Sequence, residues 1–155
     1  MKYLLIFLVS MVPLIELRGA IPIAVGMDLN YFTALIVCVL GNMLPVPFIY
    51  FFARKVLLWG KDKKYIGKFF TFCLEKGERA GQKLRAKTGR GGLFVALMLF
   101  VGIPVPGTGA WTGALAASFL DMGIKSTTLA VSLGVIIAGA IMGLASTGVF
   151  SIIGL

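Results

Sequence analysis

Histidine is absent from this chain of 155 residues, and acidic residues are scarce, with six against fifteen lysines and arginines. The lack of histidine excludes a histidine-based catalytic triad and a histidine-containing zinc site. Charged residues make up only 14% of the sequence, whereas hydrophobic residues make up 59%. This balance excludes an ordinary water-soluble globular domain and an intrinsically disordered chain.

Cysteine is nearly absent too, since the chain holds only Cys38 and Cys73. Cys38 lies in an apolar run and Cys73 in a basic stretch, so we expect two free thiols. No nucleophile is paired with a base in the sequence, and we therefore expect no enzyme activity, no cofactor and no metal site. The apolar start of the chain, residues 3–9, is followed by no clear cleavage site, so we expect it in the mature fold.

Basic residues are concentrated in one block, because twelve of the fifteen lysines and arginines lie between Arg54 and Arg90. By the positive-inside rule, such a block between apolar segments lies on the cytoplasmic side of a membrane. Apolar residues recur within it at steps of three or four, which predicts an amphipathic helix on the anionic inner leaflet. No aromatic stacking platform accompanies the charge, so we expect no nucleic-acid partner. The recurring residues are Ile66, Phe69, Phe70, Cys73, Gly77, Ala80 and Leu84.

The rest of the chain is mostly apolar, in regions long enough to cross a bilayer, which takes about 20 residues per helix. Breaks within such regions are tolerated only where protein or water satisfies the freed backbone groups, so we expect re-entrant helical hairpins or discontinuous spans. The last region is long enough for a tilted helix or for a helix with a re-entrant tail. The apolar regions are residues 3–25, 31–52, 91–120 and 127–155. The breaks are Pro13, Gly19 and Pro22 in the first, Gly41–Asn42 and Pro45–Pro47 in the second, and Gly102–Gly109 in the third.

A weak internal repeat lies on the two sides of the basic block. Each side has a broken hairpin, a short turn with one aspartate (Asp28 or Asp121) and a spanning segment, and we expect each aspartate to cap the N-terminus of that span. Because the block joins the two sides within one compartment, they have opposite orientations, as in many secondary transporters. We predict an all-α polytopic integral membrane protein with a single domain. Its two inverted repeats, 1–53 and 91–155, each hold a re-entrant hairpin and a transmembrane helix, and the basic cytoplasmic linker is 54–90.

Glu16 and Arg18 are the only charges between Lys2 and Asp28. An ionisable residue at membrane depth costs about 2.5–3.5 kcal/mol on insertion scales, so it persists where it is paired, hydrated or functional. We predict that Arg18 binds an anionic substrate group, because a guanidinium suits phosphate, and that Glu16 orients the substrate or carries a proton. The alternatives are a permanent ion pair between the two, or two interfacial anchors at a hairpin tip.

The loop Pro104–Gly109 is the second candidate element. Its prolines fix the backbone, and its glycines allow conformations that expose N–H groups. A helix that starts near Thr108 would point its positive end at the bilayer centre and could hold an anion opposite Arg18, whereas the alternative is a tight turn for close packing. Asn42 could contact the substrate or satisfy freed carbonyls, and Trp111 could wall the cavity. The predicted substrate- and proton-binding residues are Glu16, Arg18, Asn42, Pro104, Pro106, Gly107, Thr108, Gly109 and Thr112.

Three strings in the chain, Glu16–Pro22, Gly41–Asn42 and Ile103–Gly113, resemble the bacterial and archaeal small multidrug export protein family. That family is similar to the DedA/VTT membrane proteins. The resemblance implies two re-entrant hairpins that face each other, and transfer of polyprenyl-phosphate or phospholipid carriers between leaflets with proton coupling. By this resemblance Glu16 matches the acidic residue of the first hairpin. The chain departs from the DedA pattern in its second hairpin, which has no arginine.

From these features we predict a multi-pass inner-membrane transporter of an anionic substrate, a lipid-linked phosphate such as a polyprenyl phosphate or a phospholipid, working by alternating access with proton coupling. The expected partners are anionic lipids of the inner leaflet, the substrate and a second copy in a homodimer. A proton-coupled exporter of small amphipathic molecules is one alternative, and it would use the same cavity. A membrane scaffold without transport is the other, and it would tolerate the loss of Glu16.

Overall fold

The computed structural model describes residues 1–13, 15–105 and 108–153, and every regular element within these ranges is an α-helix. The most extensive packing is between α5 and α7 and between α1 and α3. Helix α4 packs on α6, and α2 packs on α1, α3 and α7. The helices are α1 (Lys2–Met11), α2 (Glu16–Gly26), α3 (Tyr31–Met43), α4 (Val46–Lys61), α5 (Gly67–Gly102), α6 (Ala110–Phe119) and α7 (Ile124–Ile153).

The first apolar region is a pair of helices, α1 and α2, that breaks near Pro13 as expected. The other two predicted breaks are wrong, because Gly19 and Pro22 both lie inside α2. A proline within a helix costs about 3 kcal/mol. Burial of α2 among its neighbours offsets this cost, since Ala20 and Ile21 have no exposed surface. We call α1 and α2 the first hairpin.

The second apolar region is almost continuous, because only Leu44 and Pro45 separate α3 from α4 and both keep helical backbone angles. The predicted break at Gly41–Asn42 is wrong, since both residues lie within α3. Pro47 is the second residue of α4, where a missing N–H costs nothing, because the first N–H groups of a helix lack intrahelical partners. The prolines therefore start α4 and do not open a wide loop.

The basic block is helical, as predicted, and continues into the third apolar region as α5. Gly89 interrupts this helix with φ of +69°, a left-handed conformation that favours glycine. In the part after this kink, residues 90–102, the side chains of Leu93, Leu97 and Val101 are buried in the apolar core. Helix α5 ends at Gly102 and α6 begins at Ala110, and we call residues 90–102 together with α6 the second hairpin.

The two aspartate turns share one hydrogen-bond pattern. The N–H groups of Asp28 and Asp121 bond to carbonyls three residues back, and those of Leu29 and Met122 to carbonyls five residues back. This pattern is a Schellman motif, in which the aspartate takes the left-handed position after the helix, with φ of +56° and +51°. The predicted N-capping role is therefore wrong: Asp28 and Asp121 end α2 and α6, and Asn30 accepts the capping bond from Thr33 N–H of α3 at 3.1 Å.

Helix α7 is a single helix as far as Ile153, and its glycines allow the close approach of other helices. A methyl group at Gly134 would meet Val101, one at Gly139 would meet Leu35, and one at Gly143 would meet Tyr31. Two segments, Tyr31–Lys61 and Ile124–Val149, are long and apolar enough to cross a membrane. The all-helical fold with membrane-spanning capacity is thus confirmed, while the inverted orientation of the halves and the re-entry of the hairpins stay predictions.

Candidate functional site

The two hairpins meet where the carboxylate of Glu16 reaches the start of α6. Its two oxygens accept hydrogen bonds from the N–H groups of Ala110 at 3.2 Å and Trp111 at 3.1 Å. The first N–H groups of a helix have no intrahelical partner, and the helix dipole favours a negative charge there. Glu16 therefore acts as the N-terminal cap of a helix 94 positions further along the chain. It is only 5% exposed and has a left-handed backbone, with φ of +50°.

Gly109 makes this contact possible by lacking a side chain. A methyl group on its Cα would overlap the carboxylate of Glu16. Its φ of −83° is open to any residue, so the position needs glycine for space and not for backbone freedom. The predicted helix start near Thr108 is correct to within two residues, because Gly109 precedes the first residue of α6.

Arg18 contacts the other side of the same loop, at the end of α5. Its Nη2 donates to the carbonyls of Val101 at 3.2 Å and Ile103 at 3.0 Å and to Oγ1 of Thr108 at 2.9 Å, and its Nη1 donates to the carbonyl of Val105. The last carbonyls of a helix lack intrahelical donors and carry negative partial charge. The guanidinium thus donates to free carbonyls at the C-terminal end of α5, while the Glu16 carboxylate accepts from free N–H groups at the N-terminal end of α6.

These contacts bear on the alternatives for Glu16 and Arg18. Among the described residues the ion pairs are Arg54–Asp121 and Arg79–Glu75, so the permanent Glu16–Arg18 pair is not formed. Each charge is bonded instead to the backbone of the second hairpin. The N–H groups that we expected to hold an anion are bonded to Glu16, so an anion must displace this carboxylate to reach them.

A small cavity behind the contact brings Asn42 to the predicted site. It has a volume of about 10 Å³ and is lined by Glu16, Arg18, Asn42 and Gly109, with apolar residues of α7. Asn42 is 2% exposed, and its Oδ1 accepts no hydrogen bond from the described residues. A buried acceptor without a donor costs about 1–3 kcal/mol. Asn42 is therefore a predicted site residue with a buried acceptor that no described residue satisfies.

A larger cavity, of about 200 Å³, also borders the contact. Glu16, Arg18 and Thr112 line it, together with Pro13 and Trp111. Thr112 and Trp111 are thus brought to the predicted cavity. Pro104 lies half-buried in the loop between the carbonyls that bind Arg18, and Pro106 and Gly107 fall outside the described residues.

An apolar groove of about 320 Å³ lies between α4, α5 and α6. Trp111 and Leu115 line both this groove and the larger cavity, so the two are adjacent. The indole Nε1–H of Trp111 donates to the Met11 carbonyl at 3.2 Å, which holds the ring between the hairpins. The sequence carries no signal for the groove, because its nine residues come from three separate helices. They are Ile49, Phe52, Ala53, Val56, Leu57, Phe70, Trp111, Leu115 and Phe119.

Sequence reasoning expected free N–H groups near Thr108, but it missed the backbone carbonyls that bind Arg18 and the bonding of the N–H groups to Glu16. The carbonyls of Val101, Ile103 and Val105 and the N–H groups of Ala110 and Trp111 bind the two charges. Backbone groups have the same chemistry in every residue except proline, so residue types do not reveal them. The only available signal was the glycine–proline break itself, which frees such groups.

Comparison with known proteins places this arrangement in a family. The family model described as "Putative small multi-drug export protein" matches residues 16–141, from the start of α2 through the second hairpin into α7. The chain belongs to this family. No curated protein and no solved structure matches it. The assignment confirms the predicted resemblance and marks the chain as a member of a membrane export family, with helices able to span a membrane.

Substitution of Thr108 tests how much the hydrogen bonds of this loop contribute to the stability of the protein. Its Oγ1 accepts from Arg18 and lies 2.8 Å from the carbonyls of Ile103 and Val105, to one of which it donates. We expect Thr108→Val to lower the free energy of unfolding by about 1–2 kcal/mol, because both bonds are lost, and Thr108→Ser to stay near wild type.

Thermal unfolding in detergent measures this effect. Thr147→Val is the matched control, because the Thr147 hydroxyl bonds within its own helix to the Gly143 carbonyl at 2.9 Å. Equal melting temperatures for Thr108→Val and the wild-type protein would contradict the assigned bonds.

Proposed function

We propose that this protein is an alternating-access transporter for an amphipathic substrate with an anionic head, such as a polyprenyl phosphate or a phospholipid. The observation that carries the proposal is the contact of Glu16 and Arg18 with the broken second hairpin. Ionisable groups at membrane depth are rare and mark substrate or ion pathways. A contact made of breakable hydrogen bonds between two hairpin tips is a suitable gate.

The proposed orientation places the basic block, residues 54–90, in the cytoplasm of a cell with an inner membrane. Helix α4 then ends and α7 begins on the cytoplasmic side, so the first hairpin enters from outside and the second from inside. The matching Schellman turns at the ends of α2 and α6 support this inverted arrangement. Both hairpin tips would then lie near the bilayer midplane, where the substrate exchanges sides.

The proposed step is an exchange of anions at the start of α6. A phosphate competes with the carboxylate of Glu16 for the N–H groups of Ala110 and Trp111. Protonation of Glu16 removes its charge and weakens its hold on these groups, so proton uptake favours the substrate-bound state. The protonated carboxyl then needs an acceptor, and Oδ1 of Asn42, in the same small cavity, is an unused one.

The apolar part of the substrate occupies the groove next to the cavity that Glu16 and Arg18 line. Since Trp111 and Leu115 line both, a head held beside Glu16 and Arg18 leaves its chain against the apolar side chains of the groove. This continuity favours an amphipathic molecule over a fully soluble anion. A homodimer stays a prediction.

Export of small amphipathic molecules without an anionic head is the second candidate. The observation that favours it is the saturation of Arg18, which donates to three carbonyls and one hydroxyl of the protein itself. In that case Arg18 builds the site and need not bind the substrate. The groove and the Glu16 carboxylate would then suit a neutral or cationic head.

Leaflet exchange in liposomes tests the proposal. The purified protein is reconstituted, and transfer of a labelled polyprenyl phosphate is compared with that of a labelled cationic amphiphile. We expect Glu16→Gln to slow transfer of the phosphate by about 10-fold or more, because the carboxyl can no longer exchange a proton. Glu78→Gln, an exposed acidic residue of α5, is the matched control and should transfer at the wild-type rate.

Three outcomes separate the candidates. Transfer of the phosphate alone, lost in Glu16→Gln, supports the anionic substrate. Transfer of the cationic amphiphile alone replaces it with the second candidate. Transfer of neither by a protein with a normal melting temperature would leave a scaffold without transport as the better account.

A further inference from the structure

The turn between α4 and α5 carries a cluster of lysines around a cavity of about 420 Å³. Lys61, Lys63, Lys64 and Lys68 line it, and Glu75 is the single acidic residue in its wall. None of the four lysines takes part in an ion pair among the described residues, and Glu75 is 3.7 Å from Arg79. The cavity is therefore an open site with excess positive charge.

A tight backbone turn brings these lysines together. The N–H of Lys63 bonds to the Gly60 carbonyl at 3.1 Å, and the N–H of Gly67 bonds to the Lys63 carbonyl at 2.9 Å. A methyl group at Gly67 would lie 2.6 Å from the Lys61 carbonyl, so the turn closes only with glycine at this position. The cluster is thus held by the backbone, whereas the charges further along α5 are spread on a helix surface.

Exposed aromatic side chains lie in or near the sequence segment that forms the cavity. Trp59 is 61% exposed, Phe69 is 66% exposed and Phe72, which lines the cavity, is 56% exposed. The ammonium of Lys63 lies 4.3 Å from the centre of the Trp59 ring. Aromatic residues next to lysines mark the interface between headgroups and acyl chains. This combination favours a position of the cavity at the depth of lipid headgroups.

We propose that this cavity binds the phosphate headgroup of an anionic phospholipid in the adjacent leaflet. The ammonium groups supply the charge and the hydrogen-bond donors that a phosphate needs, and the exposed aromatic rings rest on the acyl chains. The site is separate from the Glu16 contact and does not depend on the transport proposal. It ties the α4–α5 turn to the membrane surface.

Native mass spectrometry of the full chain in detergent tests the proposal, with phosphatidylglycerol and phosphatidylcholine as probes. The site variant carries Lys61→Gln, Lys63→Gln, Lys64→Gln and Lys68→Gln. The control variant removes the same charge from exposed positions that do not line the cavity. Those control changes are Lys55→Gln, Lys83→Gln, Lys87→Gln and Lys125→Gln.

We expect wild-type protein to retain phosphatidylglycerol over phosphatidylcholine, and the site variant to lose at least about tenfold in retention while the control loses much less. Equal losses in the two variants would overturn the proposal, because they would show diffuse attraction and not a site. Displacement of bound phosphatidylglycerol by inorganic phosphate as readily as by added lipid would also overturn the proposal, because the site would then bind a soluble anion. If a fourfold variant is unstable, two double variants repeat the comparison. The site variant is then Lys64→Gln/Lys68→Gln, and the control variant is Lys83→Gln/Lys87→Gln.

Discussion

Gly109→Ala is expected to abolish transport and to lower the free energy of unfolding by about 1–3 kcal/mol, the usual cost of overpacking. The added methyl group would overlap the Glu16 carboxylate, so either the carboxylate or the start of α6 must move. Movement breaks the bonds from Ala110 and Trp111 and opens the contact between the hairpins. Transfer rates in liposomes and melting temperatures in detergent measure the two effects.

A double-mutant comparison separates the clash from a general effect of alanine. If the methyl group acts through the carboxylate, Gly109→Ala should cost little more stability when Glu16→Ala is already present. Gly148→Ala is the matched control, because a methyl group there meets nothing within 4 Å. Additive losses from Gly109→Ala and Glu16→Ala would contradict the proposed contact.

Arg18→Ala is expected to lower both transport and stability, because three carbonyls and the Thr108 hydroxyl lose their donor. The bonds to the Val101 carbonyl and to the Thr108 hydroxyl are partly buried, and an acceptor left without a donor at membrane depth costs about 1–3 kcal/mol because lipid supplies no replacement. Arg18→Lys should recover only part of the loss, since an ammonium is a point charge and cannot span several carbonyls as the guanidinium fork does.

The comparison of stability with transport decides what Arg18 does. A residue that only bound substrate would change the transfer rate and leave the melting temperature unchanged. Arg79→Ala, whose guanidinium lies on the exposed surface of α5, is the control for loss of an arginine. Wild-type transfer together with wild-type stability in Arg18→Ala would show that its four hydrogen bonds are dispensable.

Much of the architecture could be predicted from the sequence, because it depends on local composition. Apolar regions of spanning length, the breaks near Pro13 and at Ile103–Gly109, and the helical basic block all appear in the structure. The selection of Glu16 and Arg18 rested on the cost of charge at membrane depth, and both lie at the contact between the hairpins. Their binding roles stay predictions.

The errors have a common physical origin. Pro22 was predicted to break a helix, but tertiary burial of α2 offsets its local cost. Asp28 and Asp121 were predicted to begin helices, but left-handed backbone angles place them after helix ends. A short polar residue suits either position, so residue type alone does not distinguish a helix start from a helix end.

The sequence by itself determined that this chain is a helical membrane protein with two broken hairpins and a basic linker, because hydropathy and chain breaks are properties of neighbouring residues. Only the tertiary structure decided that Glu16 and Arg18 do not pair with each other. Instead, Glu16 accepts hydrogen bonds from N–H groups at the start of α6, and Arg18 donates hydrogen bonds to carbonyls at the end of α5. The reason is that backbone groups freed in one half of the chain are satisfied by side chains from the other half, across about 90 positions that no local pattern connects.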